Sequence, residues 1–171
     1  PLSGMMILIV TGIGFLIHLY SVAYMDHEED GAYARFFCYL NLFCFFMLML
    51  VLGSTFLVMF VGWAGVGLSS YLLIGFWYHK NSASDAGKKA FIVNRIGDLG
   101  FLLAIFLLYL MFQRVDYAGI FGDAESVFVY GGPVITTVTL FFLLAAAGKS
   151  AQIPLYIWLP DAMAGPTPVS A

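Results

Sequence analysis

Charged side chains are scarce in this chain of 171 residues, because Asp, Glu, Lys and Arg make up only 10% of it while hydrophobic residues make up 62%. A soluble globular domain is about a quarter charged, so the composition excludes an ordinary water-soluble domain. With only seven Lys and Arg residues and a net charge of −3, nothing predicts a nucleic-acid partner. The composition therefore predicts a protein that lies in a lipid bilayer.

Cysteine is nearly absent as well. Cys38 and Cys44 show neither a C-x-x-C nor a metal-ligand spacing, which excludes iron–sulfur ligation, and both are interpreted as small buried hydrophobic residues. The sequence also lacks a nucleotide-binding glycine loop, a histidine pair spaced for haem and a nucleophile–base set. We therefore expect no redox or hydrolytic catalysis, no cofactor and no metal site within this chain.

What the chain has instead is long apolar runs separated by polar segments. A membrane-crossing helix needs about 20 apolar residues, and the runs interpreted as spans are 4–24, 36–52, 55–78, 90–112 and 133 to about 159. Asp85 is a plausible helix N-cap before the fourth run, and 114–132 reads as a polar loop. We predict an all-α, polytopic transmembrane helical bundle. Because the chain opens with Pro1 and has no basic leader, we also expect a piece of a longer polypeptide.

Basic residues in short loops predict which side of a membrane faces the cytoplasm. The segments around the loops after the first and third runs hold Arg35, Lys80, Lys88 and Lys89, whereas the opposite side offers only Arg114. We call the side with these four basic residues the basic face. The imbalance predicts that the basic face is cytoplasmic.

Lys149 lies where a lysine is costly. Fifteen uncharged residues (VITTVTLFFLLAAAG) precede it, and the nine after Ser150 (AQIPLYIWL) are uncharged too. An ammonium within such a stretch costs about 2.5–3.5 kcal/mol on insertion scales and marks ion or proton paths. Pro154 removes a backbone donor and can break the helix near that charge. The alternative is a lysine at a helix end whose amine extends to the headgroups.

Two further charges lie in the fourth run. Arg95 and Asp98 are three residues apart, so on a helix they share a face and can pair. The spacing fits either a neutralised pair or members of a proton relay. Near Lys149, burial favours the neutral amine and an approaching carboxylate favours the ammonium, so alternation between the two loads and releases a proton. In the third run, glycines 62, 65 and 67 predict a small-residue face for close helix contact.

Four longer motifs resemble a known family. They are AYARFF (32–37), VGWAGVGLSSYLLIGFWY (61–78), KKAFIVNRIGDLGFLL (88–103) and GKSAQIPLYIWLPDAMAGPTPVSA (148–171). They resemble the antiporter-like membrane subunits of respiratory complex I, the proton-pumping NADH:quinone oxidoreductase, and are most similar to the L-type or chain 5 subunit in a bacterial form. The resemblance implies a fold of inverted five-helix repeats. Residues 1–24 would form a helix before the first repeat, and 25–171 would form most of that repeat.

The resemblance also implies roles for single residues. It assigns Lys149 as the proton-carrying lysine on a discontinuous helix, Arg95 and Asp98 to its charge network, and Pro154 to the helix break. It implies a non-redox, proton-translocating subunit without a cofactor of its own, since NADH, FMN, the iron–sulfur clusters and quinone would belong to partner subunits. The expected partners are other complex I subunits, especially neighbouring antiporter-like ones. The expected location is the bacterial inner membrane.

Position 64 departs from the family. There the third span reads GWEGVG, and its glutamate is the usual partner of the lysine, whereas 62–67 here reads GWAGVG with Ala64 at that position. We predict that this channel pumps poorly or relies on Asp98 as its counter-ion. Two alternative functions stay open: the large subunit of a multi-subunit cation/proton antiporter, and a structural membrane-arm subunit whose pump is disabled by Ala64.

Overall fold

The computed structural model describes residues 2–28 and 30–170, and these residues are almost entirely helical. The helices are α1 (Leu2–Tyr24), α2 (Asp30–Leu52), α3 (Phe56–Ile74), α4 (Asn81–Phe112), α5 (Tyr117–Val127), α6 (Pro133–Lys149), α7 (Leu159–Ala162) and α8 (Thr167–Ser170), with a 3₁₀ turn at Tyr156–Trp158 before α7. The first four are long and apolar enough to cross a membrane. The predicted all-α, polytopic fold is confirmed.

The helices extend beyond the apolar runs on the basic face. α2 begins at Asp30 rather than at residue 36, and α4 begins at Asn81 rather than at residue 90. Asp85 therefore lies inside α4, whose N-cap is Lys80, so the predicted N-cap is wrong. With 32 residues, α4 is about 48 Å long and exceeds a hydrocarbon core of about 30 Å. The length of an apolar run matches the thickness of the hydrocarbon core, whereas the helix itself continues into the headgroup region, where its residues are polar.

The cysteines are less buried than the sequence suggested. Cys38 is exposed on α2, and Cys44 is half-buried. The interpretation of both as buried residues is wrong for Cys38. In a membrane protein the outer surface of a helix is apolar as well, so an apolar residue type does not distinguish the lipid side from the interior.

The predicted loop over 114–132 contains the helix α5. Its N-cap, Asp116, accepts a hydrogen bond from the Gly119 N–H at 2.8 Å. Asp116 also pairs across an isolated β-bridge with Thr55, and the Thr55 hydroxyl caps α3 by accepting from the Val58 N–H at 3.2 Å. The starts of α3 and α5 are thus held side by side, each by a side-chain cap of the kind that stabilises helix N-termini.

Glycine allows α2 and α3 to approach closely. A Cβ added at Gly62 would lie 2.6 Å from the Leu50 nitrogen and 2.8 Å from the Phe46 carbonyl oxygen, and Gly65 lies against the Phe46 ring. Gly67 points elsewhere, toward the Lys149 ammonium. The three glycines of the predicted small-residue face therefore have different neighbours. Gly62 and Gly65 pack against α2, and Gly67 packs against Lys149.

α4 and α6 also touch backbone to backbone. A Cβ at Gly148 would lie 3.1 Å from the Gly97 Cα, and one at Gly100 would lie 2.9 Å from the Phe141 carbonyl oxygen. Small residues permit this approach in membrane helices. Because Asp98 follows Gly97 and Lys149 follows Gly148, the contact brings the aspartate and the lysine to the same level of the bundle.

Gly62→Ala should destabilise the folded protein, whereas Gly12→Ala should leave it equally stable or more stable. Alanine is favoured over glycine in a helix by about 1 kcal/mol, and nothing lies within 4 Å of a Cβ at Gly12. At Gly62 the methyl group meets backbone atoms that cannot rotate away, and such overpacking costs about 1–3 kcal/mol. Thermal unfolding of both variants in one detergent checks the difference in sign, and equal shifts would contradict it.

Candidate functional site

The candidate site begins where α6 ends, inside the apolar sequence. The fifth predicted span, 133–159, is not one helix, because α6 stops at Lys149 after 17 residues. That length is about 25 Å, less than the hydrocarbon core of about 30 Å. The predicted run 133–159 therefore contains a helix that ends at Lys149, a turn and short helical segments, and the helix ends before Pro154, where the sequence had placed the break.

The end of α6 is closed by main-chain geometry. Ala151 adopts a left-handed conformation with φ of 50°, and the Gln152 N–H donates to the Ala147 carbonyl at 3.0 Å, as in a Schellman closure. The Trp158 indole N–H donates to the Gly148 carbonyl at 3.0 Å. The helix thus ends before Pro154, which lies exposed in the following turn.

Lys149 extends from this helix end toward α3. The C-terminal end of a helix carries partial negative charge, which favours a cation there. The Lys149 Nζ lies 5.8 Å from the centre of the Trp63 ring. A Cβ at Gly67 would come within 2.5 Å of the same atom. Gly67 therefore makes the space that the lysine side chain occupies.

Arg95 and Asp98 form an ion pair on α4 beside the lysine. The Arg95 Nη1 lies 2.9 Å from the Asp98 Oδ2, and the carboxylate is buried, with Asp98 only 3% exposed. Arg95 also donates from Nη2 to the Ala64 carbonyl oxygen at 3.2 Å, and its guanidinium lies 4.4 Å from the centre of the Phe91 ring. Arg95 thus connects α4 to α3 at position 64.

The site concentrates buried polar atoms without hydrogen-bond partners. Across the described residues there are six such side-chain atoms, and all except the His18 Nε2 belong to this site: Trp63 Nε1, Asn94 Oδ1, Arg95 Nε and both carboxylate oxygens of Asp98. The Arg95–Asp98 contact is close enough for an ion pair, but its angles do not make a well-directed hydrogen bond. Buried polar groups of this kind are commonly satisfied by ordered water, so this region is suited to hydration.

A cavity leads from the lysine toward the basic face. It has a volume of about 270 Å³ and is lined by Lys149, Asn94, Ser70 and Trp158, among others, and by residues of α7 and α8. The Asn94 amide nitrogen donates to the Ala90 carbonyl at 2.8 Å, which leaves its carbonyl oxygen available. Sequence reasoning missed Asn94, although an amide between apolar residues and Arg95 was a signal for it.

The structure brings most of the predicted site residues together. Lys149, Arg95 and Asp98 converge on the α3 segment that contains Ala64, whereas Pro154 lies in the turn beyond α6. The group contains two basic side chains and one carboxylate. Within the described part of the chain no cluster of His, Cys, Asp and Glu could hold a metal ion. Because two basic groups and one carboxylate lie side by side with buried polar atoms that lack partners, the arrangement is suited to exchanging protons between side chains and water.

The fold and site define a multi-pass membrane protein in which a buried carboxylate and two half-buried cations meet where a helix is interrupted. A comparison with known families then identifies it further. The chain belongs to the NADH:quinone oxidoreductase/Mrp antiporter transmembrane family, whose sequence pattern matches residues 53–171. A second pattern, described as the N-terminus of chain 5 of NADH-ubiquinone oxidoreductase (complex I), matches residues 1–37. The predicted resemblance to the L-type or chain 5 subunit is confirmed.

Individual relatives agree with the family. The chain is 52% identical over 170 residues to NADH-quinone oxidoreductase subunit L of Mycobacterium tuberculosis, a match that covers 99% of this chain and 26% of the relative. It is 51% identical over 172 residues to NADH-ubiquinone oxidoreductase chain 5 of Allomyces macrogynus, with the same coverage. The solved Mrp complex from a Dietzia species contains a similar chain, with a TM-score of 0.89 and 30% identity over 99% of this chain and 18% of that one. The chain thus spans about a quarter of the length of these curated relatives.

Proposed function

We propose that the chain is part of a membrane-arm subunit of NADH:quinone oxidoreductase that couples electron transfer from NADH to quinone to proton translocation through Lys149. The observation that carries this proposal is the lysine at an interrupted membrane helix, beside the Arg95–Asp98 ion pair and a cavity. The identity to subunit L and chain 5 supports the assignment to this complex. In this proposal 1–24 precede the first antiporter-like repeat and 25–171 belong to it.

The proton-carrying cycle uses the charges around the lysine. While Arg95 holds Asp98 at 2.9 Å, part of the carboxylate's charge is compensated, and the half-buried ammonium of Lys149 is disfavoured. When Arg95 turns away, the carboxylate is free to favour the ammonium, so the amine takes up a proton. Arg95 can make this movement because its side chain is 35% exposed while Asp98 is not. The cavity lined by Asn94 extends from Lys149 to residues of α7, and in this proposal water in it would carry the proton toward the basic face.

The proposal places the redox chemistry in other subunits. NADH, FMN, the iron–sulfur clusters and quinone would belong to partner subunits, and this chain would lie next to other antiporter-like subunits in the bacterial inner membrane. The redox reaction would drive the rearrangement of charge at Lys149. This chain's own residues would hold, shield and release the proton.

Ala64 limits how strongly the site favours a protonated lysine. The local group has two cations and one carboxylate, and a buried charge is costly without a partner. We therefore propose a weak pump that relies on Asp98 as the counter-ion of Lys149. The alternative of a structural membrane-arm subunit with a disabled pump also rests on Ala64. The alternative of a cation/proton antiporter rests on the similarity to the Mrp complex, but the higher identity to subunit L favours the oxidoreductase.

Asp98→Asn in the full-length protein within the intact complex should lower NADH-driven proton translocation by about tenfold or more, since a loss of about 1.4 kcal/mol already gives tenfold. The substitution removes the carboxylate charge of Asp98, which lies on α4 beside Lys149, and keeps the size of the side chain. The measurement is the number of protons moved per NADH oxidised in sealed vesicles.

Asp85→Asn is the matched control, because Asp85 also lies on α4 but pairs with Lys88 at the exposed surface. An equal effect of both substitutions would contradict the role of Asp98. Sodium/proton exchange that proceeds without NADH and that Asp98→Asn abolishes would instead establish the antiporter function.

A further inference from the structure

A second set of charged side chains lies on the basic face, separate from the Lys149 site. A cavity of about 510 Å³ opens there between the start of α2 and the segment that follows α3. Its lining includes His27, Glu28, Arg35, Trp77, Tyr78 and His79. These residues come from the ends of membrane helices and the segments that follow them, so the cavity lies where the lipid headgroups meet the protein.

Arg35 lines this cavity, and its guanidinium packs against aromatic rings. Its guanidinium lies 4.9 Å from the centre of the Phe76 ring and 5.2 Å from the centre of the Tyr78 ring. Among the side chains that the structure describes, no carboxylate lies within 4.0 Å of it and none accepts a hydrogen bond from it. The two rings hold the guanidinium by cation–π contacts. These contacts use the faces of the rings and not the N–H groups of the guanidinium, which can therefore donate to a ligand in the cavity.

Glu28 supplies the opposite charge in the same cavity. One of its carboxylate oxygens, Oε1, accepts a hydrogen bond from the Trp77 indole N–H at 2.9 Å. Trp77 is itself held in place by Lys80, whose ammonium lies 4.3 Å from the centre of the ring. Glu28 and Arg35 line one cavity but do not form an ion pair with each other. The cavity thus presents a cation and an anion that are held apart.

The position of the cavity at the level of the lipid headgroups indicates which class of ligand it can bind. Trp and Tyr are enriched at the level of the lipid headgroups, and Trp77 and Tyr78 follow directly after the span of α3. Arginine binds phosphate with two parallel hydrogen bonds, and a carboxylate accepts hydrogen bonds from an ammonium group. A ligand at this depth that carries both a phosphate and an ammonium is a zwitterionic phospholipid.

We propose that this cavity binds the headgroup of an ethanolamine-type phospholipid, with its phosphate on Arg35 and its ammonium on Glu28. A purely anionic headgroup would leave the Glu28 carboxylate facing a phosphate without a cation between them. A choline headgroup has no N–H to donate, so it would lose the charge-assisted hydrogen bond to Glu28. Ethanolamine satisfies both charges of the cavity.

Native mass spectrometry of the full-length protein in its complex tests this assignment. The complex is delipidated and incubated separately with phosphatidylethanolamine, phosphatidylcholine and phosphatidylglycerol. We expect preferential retention of phosphatidylethanolamine. Arg35→Gln should weaken its retention by about tenfold, the effect of losing a charge-assisted hydrogen bond. Glu28→Gln should keep lipid bound but remove the preference for ethanolamine over choline, a change in selectivity that unfolding cannot produce.

Arg114→Gln is the matched control, since Arg114 lies on the opposite face and pairs with Asp116 and Asp123. Equal retention by wild type and Arg35→Gln, or an equal loss in Arg114→Gln, would overturn the site. Stronger retention of phosphatidylglycerol would overturn the zwitterionic assignment. Displacement of the lipid by an equal concentration of soluble phosphoethanolamine would show a soluble ligand and overturn the lipid assignment.

Discussion

Lys149→Ala in the full-length protein should reduce proton translocation coupled to quinone reduction by roughly a hundredfold, the lower end of what a proton-transferring group contributes. Lys149 lies beside the Arg95–Asp98 ion pair and lines the cavity that extends to α7. Without its amine, no side chain at the end of α6 can take a proton from that cavity. The measurement is proton uptake and quinone reduction in the same membrane vesicles, driven by NADH.

Lys89→Ala is the matched control for this experiment. Lys89 pairs with Asp161 at 2.6 Å, and both side chains are more than two-fifths exposed. Such surface pairs contribute about 0–1 kcal/mol, so Lys89→Ala should change coupling little. Equal effects of the two substitutions would mean that Lys149 only extends to the headgroups. Lys149→Arg adds a variant that keeps the charge, but arginine does not release its proton, so translocation should still fail in a folded protein.

Ala64→Glu should raise the number of protons translocated per electron. The new carboxylate would start one helical turn before Gly67, against which the Lys149 ammonium lies, and beside the carbonyl that Arg95 contacts. It would give the two cations a second counter-charge and favour the protonated lysine. The expected result is a higher proton-to-electron ratio at an unchanged rate of NADH oxidation, with both measured in the same sealed vesicles.

Ala64→Gln separates charge from size in this comparison. Glutamine fills the same space but adds no negative charge, so it should not restore translocation. If Ala64→Glu leaves pumping and turnover unchanged, the missing carboxylate does not limit this site. If the protein with Ala64 already gives the same proton-to-electron ratio as a pumping Ala64→Glu variant, the structural, non-pumping alternative is excluded.

The charged part of the site could be predicted from the sequence because charges are conspicuous in apolar runs. Lys149, Arg95 and Asp98 are costly in a membrane whichever helices surround them, so their signal does not depend on tertiary structure. Asn94 and Trp158 could not be found in the same way. Amides and indoles occur at many membrane positions, and only the three-dimensional arrangement shows that one lines the cavity and the other caps the end of α6.

The first and last residues of the helices are harder to predict from the sequence than the presence of membrane-spanning helices. Apolar length gave the thickness of the bilayer, so the polar first turns of α4, from Asn81 onward, were missed. The glycines and acids of α5 predict a loop because they obscure its short helical pattern, although Asp116 is a typical N-cap residue. The end of α6 depends on Ala151 in a left-handed conformation. Glycine is the usual residue at such a position, so an alanine there does not predict the end of a helix.

The glycine contact between α4 and α6 limits which movements can rearrange the charges around Lys149. Because Gly97 and Gly148 touch main chain to main chain, neither helix can slide past the other without opening the contact. Helix register shifts take microseconds to milliseconds, whereas rotations of exposed side chains take picoseconds to nanoseconds. In the proposed cycle, rearrangement of charge around Lys149 would therefore fall to the Arg95 side chain and to water, and not to sliding of α4 against α6.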